Sequence, residues 1–302
     1  MQFQQTLKRP AMCAGIGVHS GEKSKLVFQP AEIGTGVRFI RTDISDRPNV
    51  IEAMGDTVSS VALGTTLTNA HGVSVAVTEH LLAACAGIGL DNVIVEIDGP
   101  EVPIMDGSST LFVELLLQAG LKQQASLRRR LRILEEIHVE TGPKWAKLTP
   151  TSDDCLTLRV RIDFDNPAIG VQQMALRMLP GVFARDLAFA RTFGFMKDAD
   201  KLRAMGLGRG SSLENAVVIE GEEVINPEGL RAGDEFVRHK ILDAIGDLML
   251  AGGPIAGCYE ANQPGHALNN ALVRKLLDSP QSWCWETDEF ATEEVAAAGA
   301  QA

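Results

Sequence analysis

The segment Asp234–Leu250 constrains this chain more than any other. It reads as one helix with two faces of opposite character. At about 100° per residue, His239, Lys240, Asp243 and Asp247 fall within one arc of roughly 100°. Val237, Ile241, Leu242, Ile245, Leu248 and Met249 fall on the other side. The apolar stripe explains how the helix is held. It does not explain a His and two Asp spaced four residues apart in a row. A His and an Asp at i, i+4 reach one metal ion together, which makes a catalytic metal site the first hypothesis. The alternative is a solvated face on which Asp243 merely pairs with His239, for a few tenths of a kcal/mol. On this segment alone both stay open.

Composition narrows the classes. A chain of 302 residues, 45% hydrophobic and 22% charged, is of ordinary globular composition. Its length suits two domains of about 150 residues each. The net charge of −11 disfavours a non-specific nucleic-acid binder, which needs a basic surface to displace counterions. Cys13, Cys85, Cys155, Cys258 and Cys284 are scattered and lack any CxxC spacing, so neither a disulfide framework nor a thiolate zinc site is expected. Cys85 lies in an apolar run and reads as core. The N-terminus has no apolar signal region and no run is long enough for a membrane helix. The expectation is a cytoplasmic protein with no membrane span.

Each half reads as strands first, then helices, which favours an α+β architecture over a doubly wound parallel sheet. Residues Lys25–Phe28, Val37–Ile40, Val73–Val77 and Asn92–Ile97 are strand-like. A helix is expected to start at Thr78 as N-cap and to stop at Gly87. A second spans Ser108–Gln118 and closes at Gly120. The polar, basic stretch Leu121–Arg130 marks the expected boundary, with a first domain over 1–125 and a second over 126–302. Its three arginines read as a solvated linker. Strands Leu131–Leu134, Leu156–Ile162, Ala216–Ile219 and Ile255–Tyr259 follow, with helices at Lys197–Met205 and His266–Asp278. The turn Gly206–Ser211 lacks the Lys of a phosphate-binding loop and follows a helix, which disfavours that role. The Ala-rich tail beyond Glu293 is expected to fray.

Three further segments carry chemistry. In Thr78–His80, His80 offers an imidazole and Glu79 a neighbouring carboxylate able to contact a metal-bound water. His266 sits at a helix start, where the dipole disfavours its protonation unless a carboxylate such as Asp247 compensates. In Ala190–Met196, Phe193 and Phe195 share one face of a strand, and the Thr192 hydroxyl beside them is a donor for a substrate carbonyl. Each has a plain alternative: an acid complementing a helix N-terminus, a surface histidine, simple core.

Taken together, these motifs carry a family resemblance. His19-Ser-Gly21, Thr78-Glu-His80, Val102-Pro-Ile-Met-Asp-Gly-Ser108, Arg191-Thr-Phe-Gly-Phe195, His239-Lys-Ile-Leu-Asp-Ala-Ile-Gly-Asp247 and Gly265-His-Ala-Leu-Asn-Asn270 resemble the zinc-dependent UDP-3-O-acyl-N-acetylglucosamine deacetylases of lipid A biosynthesis. The resemblance runs over nearly the whole chain. It implies two similar two-layer α/β sandwich domains, each with a small insert, and an active site between them. The second insert, near 192–218, would form a passage for the acyl chain. It implies Zn2+ as cofactor, with His80, His239 and Asp243 as ligands. The reaction would be hydrolysis of the N-acetyl group of a UDP-3-O-(3-hydroxyacyl)-N-acetylglucosamine to the free amine and acetate, the committed step of lipid A biosynthesis. Glu79 would be the general base and Thr192 a donor to the oxyanion. His266, oriented by Asp247, would be the protonated partner. Lys240, Phe193, Phe195 and Leu63 would contact substrate, and the enzyme would be a monomer. Three protein ligands leave the open position that catalytic zinc requires. One departure stands out: Arg209 lies where the family more usually has consecutive glycines before a serine, at the mouth of the expected passage.

Two other classes compete. A sugar-nucleotide binder would have no need of the base and acid. A structural zinc site would be closed by four ligands, often cysteines, and the one cysteine near these residues in sequence, Cys85, reads as core.

Overall fold

In a computed structural model, residues 2–287 of the chain are described; the Ala-rich tail lies outside them. The architecture is mixed α+β, with several sheets and packed helices. A five-stranded sheet runs in the order Ala11–Ile16, Lys23–Pro30, Val93–Ile97, Val37–Arg41, Val50–Glu52. The pair Val37–Arg41 and Val93–Ile97 is parallel and the rest antiparallel. Alternation fixes the inner face: Leu26, Phe28, Phe39, Val93 and Val95 are fully buried. They share a core with Leu81 and Leu82 of α1 (Glu79–Ile88) and Phe112 and Leu116 of α2 (Thr110–Ala119).

The second half builds a seven-stranded sheet around Ile255–Asn262, which is buried along almost its whole length. Helix α4 (Glu235–Met249) packs on the strands Leu156–Asp163 and Val171–Arg177. Helix α5 (His266–Leu277) packs on Ile137–Thr141 and Lys144–Thr149. Two small three-stranded sheets and a two-stranded sheet of Phe3–Leu7 with Leu121–Leu127 complete the set among the described residues. One three-stranded sheet contains Val58–Ser60, Thr66–Thr68 and Ser74–Val75; the other contains Phe193–Phe195, Val217–Glu220 and Glu223–Val224. Between Phe195 and Val217 lie α3 (Met196–Ala204) and the glycine-rich turn.

The contact that matters for function is α1 against α4. It is close because of Gly246: a Cβ there would stand 2.1 Å from the Glu79 carbonyl oxygen. Gly inside a helix costs about 1 kcal/mol relative to Ala, and here it lets the two helices touch backbone to side-chain-free backbone.

Three expectations are corrected. Helix α1 does not stop at Gly87 but runs on to Ile88 and closes at Gly89, in left-handed conformation with φ 75°. Gly87 lies inside the helix, and its missing side chain makes room for the Phe183 ring, which a Cβ would meet at 2.2 Å. At Thr78 the hydroxyl makes no cap bond and donates instead to the Thr65 carbonyl. Finally, the basic stretch is no linker. Leu121–Leu127 is a strand paired antiparallel with Phe3–Leu7. Arg128 bonds Asp91 at 2.7 Å, Arg129 stacks 4.6 Å over Trp285, and Arg130 pairs with Glu286.

Candidate metal centre and acid–base site

The row on α4 is buried, not solvated: His239, Asp243 and Asp247 are each 2% exposed. What covers it is α1, whose first turn carries Glu79 and His80, both 4% exposed. One ligand atom each from His80, His239 and Asp243 lies within 4.8 Å of the others. Asp243 Oδ1 stands 3.5 Å from His80 Nε2 and 3.4 Å from His239 Nε2, and it is buried with no hydrogen-bond partner. A buried, unsatisfied carboxylate oxygen is costly, and a cation between these three atoms removes the cost. The donor set of two imidazoles and a carboxylate therefore fits a metal.

Protonation favours the same use. Burial pushes His239 down to about 3, so its imidazole is neutral near pH 7. Its Nδ1 lies 3.1 Å from the Ala190 carbonyl. A proton on Nδ1, donated to that carbonyl, leaves the Nε2 lone pair facing the cluster. Burial alone would raise the Asp243 carboxyl, but His239, Lys240 and His80 outweigh it and hold it well below the usual carboxylate range. Lys240 Nζ donates to Asp243 Oδ2 at 2.7 Å.

Beside the cluster lies a second constellation. His266 Nδ1 is 2.9 Å from Asp247 Oδ2, and its Nε2 is 3.6 Å from Glu79 Oε1. Burial lowers His266, yet Asp247 and Glu79 overcome burial and raise it from 6.5 to about 10. Asp247 is fully engaged: Thr65 Oγ1 donates to Oδ1 at 2.7 Å and Asn269 Nδ2 to Oδ2 at 2.8 Å. Tyr259 in turn donates to Asn269 Oδ1. The Thr65 N–H donates to Glu79 Oε2 at 2.9 Å.

The backbone around these groups is strained. Leu63 has φ 61° and Gly64 φ 150° just before Thr65, and Val77 has φ 57° just before Thr78. A β-branched residue at positive φ is a conformational outlier costing about 1–3 kcal/mol. The expected strand Val73–Val77 accordingly shortens to Ser74–Val75.

The remaining predicted residues surround the cluster at different ranges. Phe193 lies against His239, with ring centroids 6.2 Å apart, and Lys240 Nζ lies 5.4 Å from its ring. Phe195 shares Phe164 with Phe193, at 6.3 and 5.7 Å, and has Lys197 over its ring. Thr192 is held by its backbone to Gly107 and Val217. Leu63 is half exposed, and its carbonyl lies 2.8 Å from His19 Nε2. The turn carrying Arg209 rests on the loop at His19: Arg209 N–H donates to the His19 carbonyl and Gly210 N–H to that of Val18.

Sequence reasoning gave no role to Thr65, Asn269, Tyr259 or the buried pair Arg191–Glu235. Asn269 and Arg191 lie inside the motifs that drew attention; Thr65 and Tyr259 carry no local signal. Arg191 and Glu235 are 1% and 0% exposed and bonded at 2.9 Å, tying the segment before Thr192 to the start of α4. Arg191 also bonds Glu228 and the Gly229 carbonyl. Arg191→Ala strands Glu235 as an unpaired buried charge. It should cost about 3–5 kcal/mol of unfolding free energy, read from the urea midpoint; a loss under about 1 kcal/mol would contradict this role.

The family model described as "LpxC: UDP-3-O-acyl N-acetylglycosamine deacetylase" matches residues 4–278. The chain is 48% identical over 281 residues to the UDP-3-O-acyl-N-acetylglucosamine deacetylase of Phenylobacterium zucineum (strain HLK1), covering 93% of this chain and 95% of that protein. It is 47% identical over 285 residues to the enzyme of the same name from Shewanella frigidimarina (strain NCIMB 400), covering 94% and 92%.

Proposed function

The chain belongs to the LpxC family of UDP-3-O-acyl N-acetylglycosamine deacetylases, and from that premise we propose how its own residues perform the reaction. It is a hydrolase that removes the N-acetyl group of UDP-3-O-acyl-N-acetylglucosamine in lipid A biosynthesis. The observation that carries the mechanism is the buried His80, His239 and Asp243 cluster flanked by Glu79 and a charged His266.

In this reading the metal is zinc, which His80, His239 and Asp243 would hold. When bound, it supplies Lewis acidity toward water and the acetyl carbonyl. Glu79, fixed by the Thr65 N–H, takes the proton of the attacking water as its oxygen bonds the acetyl carbon. The Thr192 hydroxyl donates to the oxygen on which negative charge grows. His266, kept protonated by Asp247 and Glu79, gives its proton to the sugar nitrogen as the C–N bond breaks, leaving a free amine and acetate. Lys240 meets the sugar or phosphate end of the substrate. Leu63, Phe193 and Phe195 line its apolar course, and the insert near 192–218 forms the acyl passage, with Arg209 at its mouth. The aromatic group Phe164, Phe193 and Phe195 beside His239 supports that placement. We place the division between two sandwich-like domains near residue 125.

Deacetylation of the acylated UDP-sugar, assayed alongside metal content, tests the reading. Turnover should require stoichiometric zinc and the 3-O-acyl chain. Equal turnover of the sugar nucleotide lacking that chain would sink the substrate assignment, and full turnover after chelation would sink the metal.

The charge on His266 gives a pH prediction. Its pKa in the folded protein lies above the ordinary 6.5, so the stability it contributes is complete below 6.5 and is lost as pH rises through about 10. In metal-free protein its ring should titrate near 10 by NMR, and Asp247→Asn should lower that value. Zinc loading, by adding positive charge nearby, should lower it too. A metal-free titration at or below 6.5 would remove His266 as the acid.

A further inference from the structure

We infer that Thr65 is a positioning residue that locks the base and the acid pair of the site into one register; the inference rests on the roles given above to Glu79 and His266. Thr65 is 1% exposed and meets both partners at once. Its N–H donates to Glu79 Oε2 at 2.9 Å, and its hydroxyl donates to Asp247 Oδ1 at 2.7 Å. The same Oγ1 lies 3.5 Å from His266 Nδ1. Its carbonyl accepts from the Thr78 N–H and hydroxyl, at the entry of the helix that carries Glu79 and His80.

The chemistry requires such a tie. Glu79 comes from α1, whereas Asp247 and His266 come from α4 and α5, so no single element sets their separation. A carboxylate with free rotation about its last torsion would wander. Each of these two carboxylates has one oxygen pinned by Thr65, which leaves Glu79 Oε1 and Asp247 Oδ2 turned toward His266.

The backbone before Thr65 is bent to make this possible. Leu63 and Gly64 adopt φ 61° and 150°, the second open only to glycine at acceptable cost. A Cβ on Gly64 would lie 3.1 Å from Glu79 Oε1, so the glycine also keeps the base clear. Strain at Leu63, two residues before a residue bonded to both carboxylates, is what a preorganised site stores.

The test compares Thr65→Val, which removes the hydroxyl at nearly constant shape, with Thr65→Ser, which keeps it. Thr65→Val should lower kcat by about 10–100-fold, with KM and zinc stoichiometry close to the parent and Tm lowered by the buried Asp247 oxygen left without its donor. Thr65→Ser should restore kcat to within about threefold of the parent enzyme, a fraction of what a supporting bond is worth. In a His266→Ala background, Thr65→Val should cost little more, because residues acting as a unit are not additive. A Thr65→Val enzyme with parental kcat, or a loss that Thr65→Ser does not rescue, overturns the inference. So does a loss of the same size in the His266→Ala background. His266→Ala and Glu79→Gln run alongside separate the cases. If those two keep full activity, the underlying roles are wrong; if they lose it and Thr65→Val does not, only the inference about Thr65 fails.

Discussion

Glu79→Gln is expected to lower kcat by about 10²–10⁴ while leaving zinc stoichiometry unchanged. The substitution keeps the shape and one oxygen to accept the Thr65 N–H, so the first turn of α1 and the neighbouring His80 should stay in place. What it removes is the basic oxygen facing His266 at 3.6 Å. With no proton acceptor there, attack by water loses its partner while substrate binding does not, so the defect should appear in kcat and leave KM nearly unchanged. Metal analysis and steady-state kinetics on the same preparation check this. Retained turnover within about tenfold would remove Glu79 as the base, since general-base catalysis is worth more than that.

The second large effect is at Asp243. Asp243→Ala should lower metal affinity by more than the roughly 10–100-fold that loss of a supporting hydrogen bond costs, and activity should fall with it. Of the three proposed ligands two imidazoles would then remain, and the Lys240 ammonium, formerly bonded to Asp243 Oδ2, would be left beside them. A cation placed next to two neutral imidazoles repels the metal further. Zinc content after dialysis against a weak chelator reads the effect. Unchanged stoichiometry would contradict the ligand assignment.

How much of this was legible in the chain depends on how local the signal was. Helix α4 declared itself because its polar row and apolar stripe are both periodic over one element. The i, i+4 spacing already placed His239 and Asp243 on one face. The sequence left open whether that face was solvated, because burial depends on what packs against it. The answer lay in Gly246, an interior glycine whose purpose is visible only once Glu79 lies against it. Gly87 misled for the same reason: a glycine that ends a helix and one that admits a neighbouring ring look alike in one dimension. The arginines at 128–130 read as solvated because their partners, Asp91, Trp285 and Glu286, are far away in sequence. Thr65 was invisible: the first threonine of a Thr-Thr pair, with no local periodicity to mark it, bonds Asp247 across 182 positions. The resemblance supplied the zinc and the substrate, neither of which spacing alone could name.

The three residues that could hold an ion come from two helices far apart in the chain, His80 on α1 and His239 and Asp243 on α4. Any ion held there binds the folded chain and not the unfolded one, since only folding brings the three together. Mass action then ties the fold to the supply of the ion: at a free concentration a hundred times Kd it adds about 2.7 kcal/mol. Metal scarcity would thus be felt twice, once as fewer competent sites and again as a larger share of chains open to proteolysis. Abundance and activity of such an enzyme would fall together, governed by one concentration.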